Sequence, residues 1–146
     1  MSIYTIGFTQ KTAKTFFTFI KDAKVSTLID VRLNNVSQLT GFTKKSDLSY
    51  FLKELCDAQY MHLSDMAPTK EMLNGYKRNE ISWQTYEDKY LNLLSQRNVE
   101  RSVTQLLLDE ACFLCSEHEP HFCHRRLLAE YLRTSMDLDI TIKHLF

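Results

Sequence analysis

Between Ser2 and Leu63 the sequence alternates short β-branched, apolar runs with segments of helical periodicity, and this alternation constrains the fold more than any other feature. Ser2 to Ile6 reads as a short buried strand closed by Gly7. Phe16, Phe19, Ile20 and Ala23 then recur at helical spacing, after Thr9 or Thr12 as a cap. Thr27 to Val31 is a second strand, and Ser46 can cap a helix with Leu48, Phe51, Leu52 and Leu55 on one face. Gln59 to Leu63 is a third strand. Strands separated by helices cannot pair as hairpins; they join by crossovers, which gives a parallel sheet with helices on its faces.

The middle of the chain breaks the alternation. Pro68 suits the first turn of a short helix that Asn74-Gly75 stops. Trp83, Tyr86, Tyr90 and Leu93 or Leu94 mark a longer helix, and Val99, Val103, Leu106 and Leu107 another. Three helices without a strand predict a helical insertion at about residues 67–108. Their aromatic stripe reads as core and not as a base-stacking platform. Ala111 to Cys115 is then a fourth strand, and Arg125 to Met136 a helix with Leu128, Tyr131, Leu132 and Ser135 inward. Ile140 to His144 is a last strand. The expectation is one α/β domain over residues 1–146, with a mostly parallel sheet of about five strands flanked by helices. A chain of 146 residues is long enough to bury such a core without disulfides.

Eighteen basic and 18 acidic side chains balance to zero formal charge, which argues against a disordered chain and against bulk polyanion binding. Lys11, Lys14, Lys21 and Lys24 form a local basic series that reads as the solvated side of a helix, so nucleic-acid binding is possible but unsupported. The start, Met1 to Gly7, has no basic region followed by a long apolar run, and no stretch approaches 18 apolar residues. A cytoplasmic protein with free thiols and no membrane partner is expected.

Six of the nine cysteines and histidines fall between Cys112 and His124. Cys112 and Cys115 have the spacing of a zinc knuckle, but Phe113-Leu114 between them reads as strand. Residues three apart on a strand face opposite ways, so these two could not easily share a metal. A zinc site from Cys115, Cys123 and His124 stays open. The competing reading is an active site at the carboxyl-end rim of the sheet, where ligands of open parallel sheets gather. Cys115 would end its strand, and Cys123 would lie where the next helix starts and orphan N–H groups favour a thiolate. Either thiol is a candidate nucleophile, with His118, His121 or His124 as acid or base. Arg32 with Arg125 would clamp an anion, while Arg126 adds positive charge beside the helix start. Cys56 and Cys112 read as core, and His62 and His144 as structural.

Asp30 and Arg32 belong to the same rim, on one face of the second strand, as a ligand site or as a structural ion pair. Thr5, Gly7 and Thr9 could complete it. Asn34, Asn35, Ser37 and Gln38 supply a neutral, hydrogen-bonding loop.

Several of these segments together resemble the domain-of-unknown-function family 488. Thr5-Ile6-Gly7-Phe8-Thr9 looks like its T-I-G-[HF]-[ST] strand end, and Asp30-Val31-Arg32 like its D-[VI]-R element. Phe42-Thr43-Lys44-Lys45 through Tyr60-Met61-His62-Leu63 is similar to its F-x-K…Y-x-H-[LM] stretch. Cys115-Ser116-Glu117 with Cys123-His124-Arg125 resembles its C-x-E-x5-C-H-R motif. The resemblance implies a Rossmann-like domain and a rim site of Cys115, Glu117, Cys123, His124, Arg125, Asp30 and Arg32. It supplies no reaction. Many members carry proline and further arginines after D-[VI]-R, where this chain has Leu33 to Gln38, so a smaller or less charged ligand is expected.

The leading expectation is a small enzyme that uses this Cys/His/Arg rim on an anionic or nucleotide-like small molecule. A metal-stabilised or nucleic-acid-associated accessory module is the alternative. Rhodanese-like sulfur transfer is a third reading, weakened because residues 116–122 contain no glycine and include Pro120, which removes a backbone donor.

Overall fold

A computed structural model describes residues 1–34, 41–117 and 121–146 of the chain. Asn35, Ser37, Gln38, His118 and Pro120, named above, lie outside the described residues.

Five strands form one sheet: β1 (Ser2–Gly7), β2 (Thr27–Asp30), β3 (Gln59–His62), β4 (Ala111–Cys115) and β5 (Thr141–Leu145). Their order is β3-β2-β4-β1-β5, and all four pairings are parallel. The α/β class and the parallel sheet are therefore as expected, in an arrangement consistent with a Rossmann-like fold. The helices are α1 (Ala13–Asp22), α2 (Lys45–Phe51), α3 (Lys70–Lys77), α4 (Trp83–Arg97), α5 (Gln105–Leu108) and α6 (His124–Ser135). None of them is long and apolar enough to cross a membrane.

Strand alternation divides the core between the two faces of the sheet. Tyr4, Ile6, Leu28, Cys112 and Leu114 pack against Phe16, Phe17 and Ile20 of α1 and against Leu48 and Leu52. Ile3, Ile29 and Phe113 point the other way, onto α4 and α6 through Tyr86, Tyr90, Leu94, Leu128 and Leu132. The aromatic stripe of α4 is core, as its spacing predicts. Cys112 is buried on the α1 face, with its thiol pushed far up by burial, and Cys56 is half-buried.

Local differences from the expected elements have identifiable causes. Thr12, not Thr9, caps α1, its Oγ1 accepting from the Thr15 N–H. Helix α2 starts at Lys45, which puts Ser46 inside the first turn, and continues as a π-helical turn, Leu52–Cys56, that ends at left-handed Asp57. Thr69 caps α3, and the helix runs through Asn74-Gly75; Asn79, with φ 57°, turns the chain instead. The helix expected from Val99 to Leu107 is broken into a 3-10 turn, Val99–Arg101, and the single turn of α5. Left-handed Asn98 ends α4, Thr104 starts a new cap, and Leu106 stays 86% exposed. Ser135 is exposed, because the inward face of α6 is Leu127, Leu128, Ala129 and Leu132.

Candidate functional site

The strand order places the site. The chain leaves β1, crosses to β2 beyond the position of β4, and later inserts β4 between them. The carboxyl ends of three adjacent strands thus bring Gly7, Asp30 and Cys115 to one rim, where the crevice of an open parallel sheet lies. The segment after β4 is held down at once: the Thr9 N–H donates to the Ser116 carbonyl at 3.1 Å.

Cys115 is the last residue of β4, and Cys123 occupies the N-cap of α6. A cysteine at an N-cap is unusual, and its thiol makes no capping bond there. It turns toward Cys115. The Cys115 and Cys123 sulfurs and a ring nitrogen of His124 all lie within 4.8 Å of one another, and all three residues are buried.

Arg125, the second residue of α6, runs into this group and is fully buried. Its Nη1 donates to Cys115 Sγ at 3.0 Å, to Cys123 Sγ at 3.7 Å and, in a short bond, to the Glu117 carbonyl. Its Nε donates to Thr5 Oγ1 at 3.3 Å, and Thr5 in turn meets His144 Nδ1 at 2.5 Å. Burial and the nearby Arg125 charge lower the pKa of His144. A buried arginine needs negative charge or acceptors on every donor it can reach. Here sulfur supplies part of that.

The two thiols respond in opposite directions. Burial pushes the Cys115 thiol up, but the hydrogen bond from Cys123 and the Arg125 guanidinium outweigh it and bring it down from 9.0 to about 7. Cys123 is held well above the ordinary thiol range by burial and by its bond to Cys115. The first proton lost from the pair is thus favoured to leave Cys115, where the hydrogen bond from Cys123 and the Arg125 guanidinium both stabilise the thiolate. His124 is neutral, pushed down to about 4 by burial. Its Nε2 is 2.9 Å from the Val31 carbonyl, which can only accept, so the proton sits on Nε2 and Nδ1 presents a lone pair 4.0 Å from Cys123 Sγ. The Tyr90 ring meets the imidazole edge-on at 5.6 Å and fixes its plane.

Asp30 and Arg32 form a neighbouring unit instead of joining the thiols. Asp30 Oδ1 accepts from Arg32 Nε at 2.8 Å and from its backbone N–H at 3.1 Å, and Oδ2 accepts from Nη2 at 2.7 Å. Tyr60 Oη donates to the same carboxylate at 2.6 Å, and Arg32 Nη2 also reaches the Thr43 carbonyl at 2.7 Å. His62 binds the Arg32 carbonyl at 2.9 Å. Both charges are buried, and the unit holds the turn whose Val31 carbonyl orients His124.

Gly7 pairs with Cys115 in the sheet, and it touches the site through what it lacks. A Cβ there would overlap the Glu117 carbonyl and fall 2.9 Å from Arg125 Nη1. Thr9 contributes its backbone; Glu117 contributes its carbonyl, with its side chain exposed. Arg126 lies outside the cluster, paired with Glu130 and with the His121 carbonyl. The sequence reading left His144 as structural and so missed its link to Arg125 through Thr5. The signal was weak: β5 had to be placed beside β1 before Thr5 and His144 became neighbours. Lys11, half-buried, also belongs near this group, its pKa lowered by burial and by the charge of Arg125.

The arrangement can hold a soft metal ion through Cys115, Cys123 and His124, or hold a thiolate through Arg125. No curated protein and no solved structure matches the chain. A protein-family profile, Domain of unknown function DUF488, matches residues 12–132, which takes in Asp30, Arg32 and the whole stretch from Cys115 to Arg125. With most of its length matched in this way, the chain belongs to the DUF488 family.

Proposed function

We propose that the protein is a small enzyme whose nucleophile is the Cys115 thiolate, acting on a small electrophile that carries or develops negative charge beside Arg125. The observation that carries this reading is the 3.0 Å contact from Arg125 Nη1 to Cys115 Sγ inside a buried cluster that also holds Cys123. A guanidinium in that position stabilises a thiolate before the reaction and a leaving anion after it. Cys123 is the adjacent proton donor, and His124 Nδ1 stands 4.0 Å from its sulfur. Arg32, engaged by Asp30 and Thr43, supports the rim and does not clamp the ligand. Cys115 is only 1% exposed, which favours a compact ligand over a nucleotide or a nucleic-acid backbone.

A metal centre is the second reading, favoured by the three ligand atoms within 4.8 Å and by a histidine whose outer nitrogen is already oriented on a carbonyl. A Cys2His set suits zinc, but Arg125 brings positive charge to the place the ion would occupy.

One experiment separates the two. Iodoacetamide labelling across pH, mapped by mass spectrometry with and without added zinc, is expected to give Cys115 a midpoint near pH 7 that zinc leaves unchanged, with half-buried Cys56 labelled only at higher pH. Restricted access slows the labelling of Cys115 at every pH and so scales its rates without moving their midpoint. Protection of Cys115 and Cys123 by one equivalent of zinc favours the metal centre, and a Cys115 midpoint at or above 9.0 removes the nucleophile reading.

A further inference from the structure

We propose that Cys115 and Cys123 are a redox-active dithiol that reduces hydroperoxides, Cys115 as the attacking sulfur and Cys123 as the resolving one. This rests on the thiolate reading above and adds a substrate class and a second covalent step.

Four features of the pair point this way. The two sulfurs face each other within 4.8 Å, although their residues lie on a strand end and a helix N-cap eight positions apart. The Cys123 side chain makes no capping bond, so rotating it toward Cys115 costs α6 no hydrogen bond. Both thiols are nearly sealed, at 1% and 2% exposure, which admits a molecule the size of hydrogen peroxide far more readily than a bulky disulfide or peptide. The guanidinium 3.0 Å from Cys115 Sγ puts positive charge beside the sulfur from which an alkoxide or hydroxide would leave.

The chemistry balances with those groups. The Cys115 thiolate attacks the terminal oxygen of R–O–OH. A sulfur–oxygen bond forms, the oxygen–oxygen bond breaks, and its electron pair leaves with RO⁻, which takes a proton from solvent to become ROH. Cys115 is now a sulfenic acid. Cys123 then attacks Cys115 Sγ. The disulfide forms, the sulfur–oxygen bond breaks, and the departing hydroxide leaves as water with the Cys123 proton. The two thiols are oxidised by two electrons and the peroxide is reduced by two. A low-molecular-weight thiol restores the dithiol by two exchanges, itself becoming a disulfide. Cys112 takes no part, since it faces α1 on the opposite side of the sheet.

The test is stoichiometric hydrogen peroxide added to the reduced full chain, followed by intact mass and peptide mapping. The wild-type protein is expected to lose about 2 Da and two of its four thiols, with Cys115 linked to Cys123. Cys123→Ser is expected to stop at a sulfenic acid on Cys115, about 16 Da heavier and captured by dimedone. Cys115→Ser is expected to give neither product, while circular dichroism reports that both variants are folded. A Cys115 that ionises near pH 7 but passes to sulfinic acid without linking to Cys123, or that links to Cys56, overturns this inference and leaves the nucleophile reading intact. A Cys115 that neither ionises there nor consumes peroxide overturns both.

Discussion

Gly7→Ala is expected to destabilise the protein by about 3 kcal/mol or more, a fall in Tm of roughly 10 °C. The added Cβ meets a backbone carbonyl, that of Glu117, which cannot rotate away as a side chain does. That carbonyl also accepts from Arg125 Nη1, so displacing it pulls the guanidinium off Cys115. The damage therefore appears twice, as lost stability and as a Cys115 thiol returned toward ordinary acidity. Gly41→Ala is the control. Among the described residues no atom lies within 4 Å of a Cβ there and no glycine has positive φ, so its Tm should hardly change. Equal, small shifts for the two variants in a thermal melt would show that the rim is not packed as described.

Asp30→Ala is expected to cost about 3–5 kcal/mol in urea unfolding, because it leaves the Arg32 guanidinium buried without its carboxylate. Three hydrogen bonds from Arg32 and one from Tyr60 end on that carboxylate. Replacing both partners is a different matter, since an apolar pair of similar volume often restores stability. The double variant Asp30→Ala/Arg32→Met should thus recover most of the loss, a coupling that only directly interacting residues produce. If Asp30→Ala costs less than about 1 kcal/mol, the pair is solvated and does not hold the rim.

The expectations that held are those that rest on local periodicity. Ala111 to Cys115 and Trp83 to Leu94 carry their own pattern, and β4 and α4 appear where that pattern puts them. The opposite facing of Cys112 and Cys115 follows from strand geometry alone, and the two do lie on different sides of the sheet. Turn positions were harder to read. Asn74-Gly75 looks like a stop, yet the stop is Asn79, because any residue that tolerates left-handed φ can end a helix.

The site was legible as a group of residue types and not as a network. The sequence places Cys115, Cys123, His124 and Arg125 within one strand-loop-helix unit, so their convergence needs only local folding. The partners of Arg125 are another matter. Thr5 and His144 are 139 positions apart and meet only because β1 lies between β4 and β5. Asp30 and Arg32 invited an anion-binding reading because charge near a rim often serves a ligand. The structure shows them bound to each other, two residues apart on one face, which is the ion pair that the same spacing also allowed.

The central claim is that Arg125 holds Cys115 as a thiolate within a buried pair. Thiolate absorbance in the ultraviolet, followed against pH and taken as wild type minus Cys115→Ser, reads this without any reagent having to reach the sulfur. The account predicts one ionisation with a midpoint near pH 7, moved well upward in Arg125→Met, where burial acts unopposed by the guanidinium. A Cys115 midpoint at or above 9.0 in the wild-type protein, or one that Arg125→Met leaves in place, would contradict it.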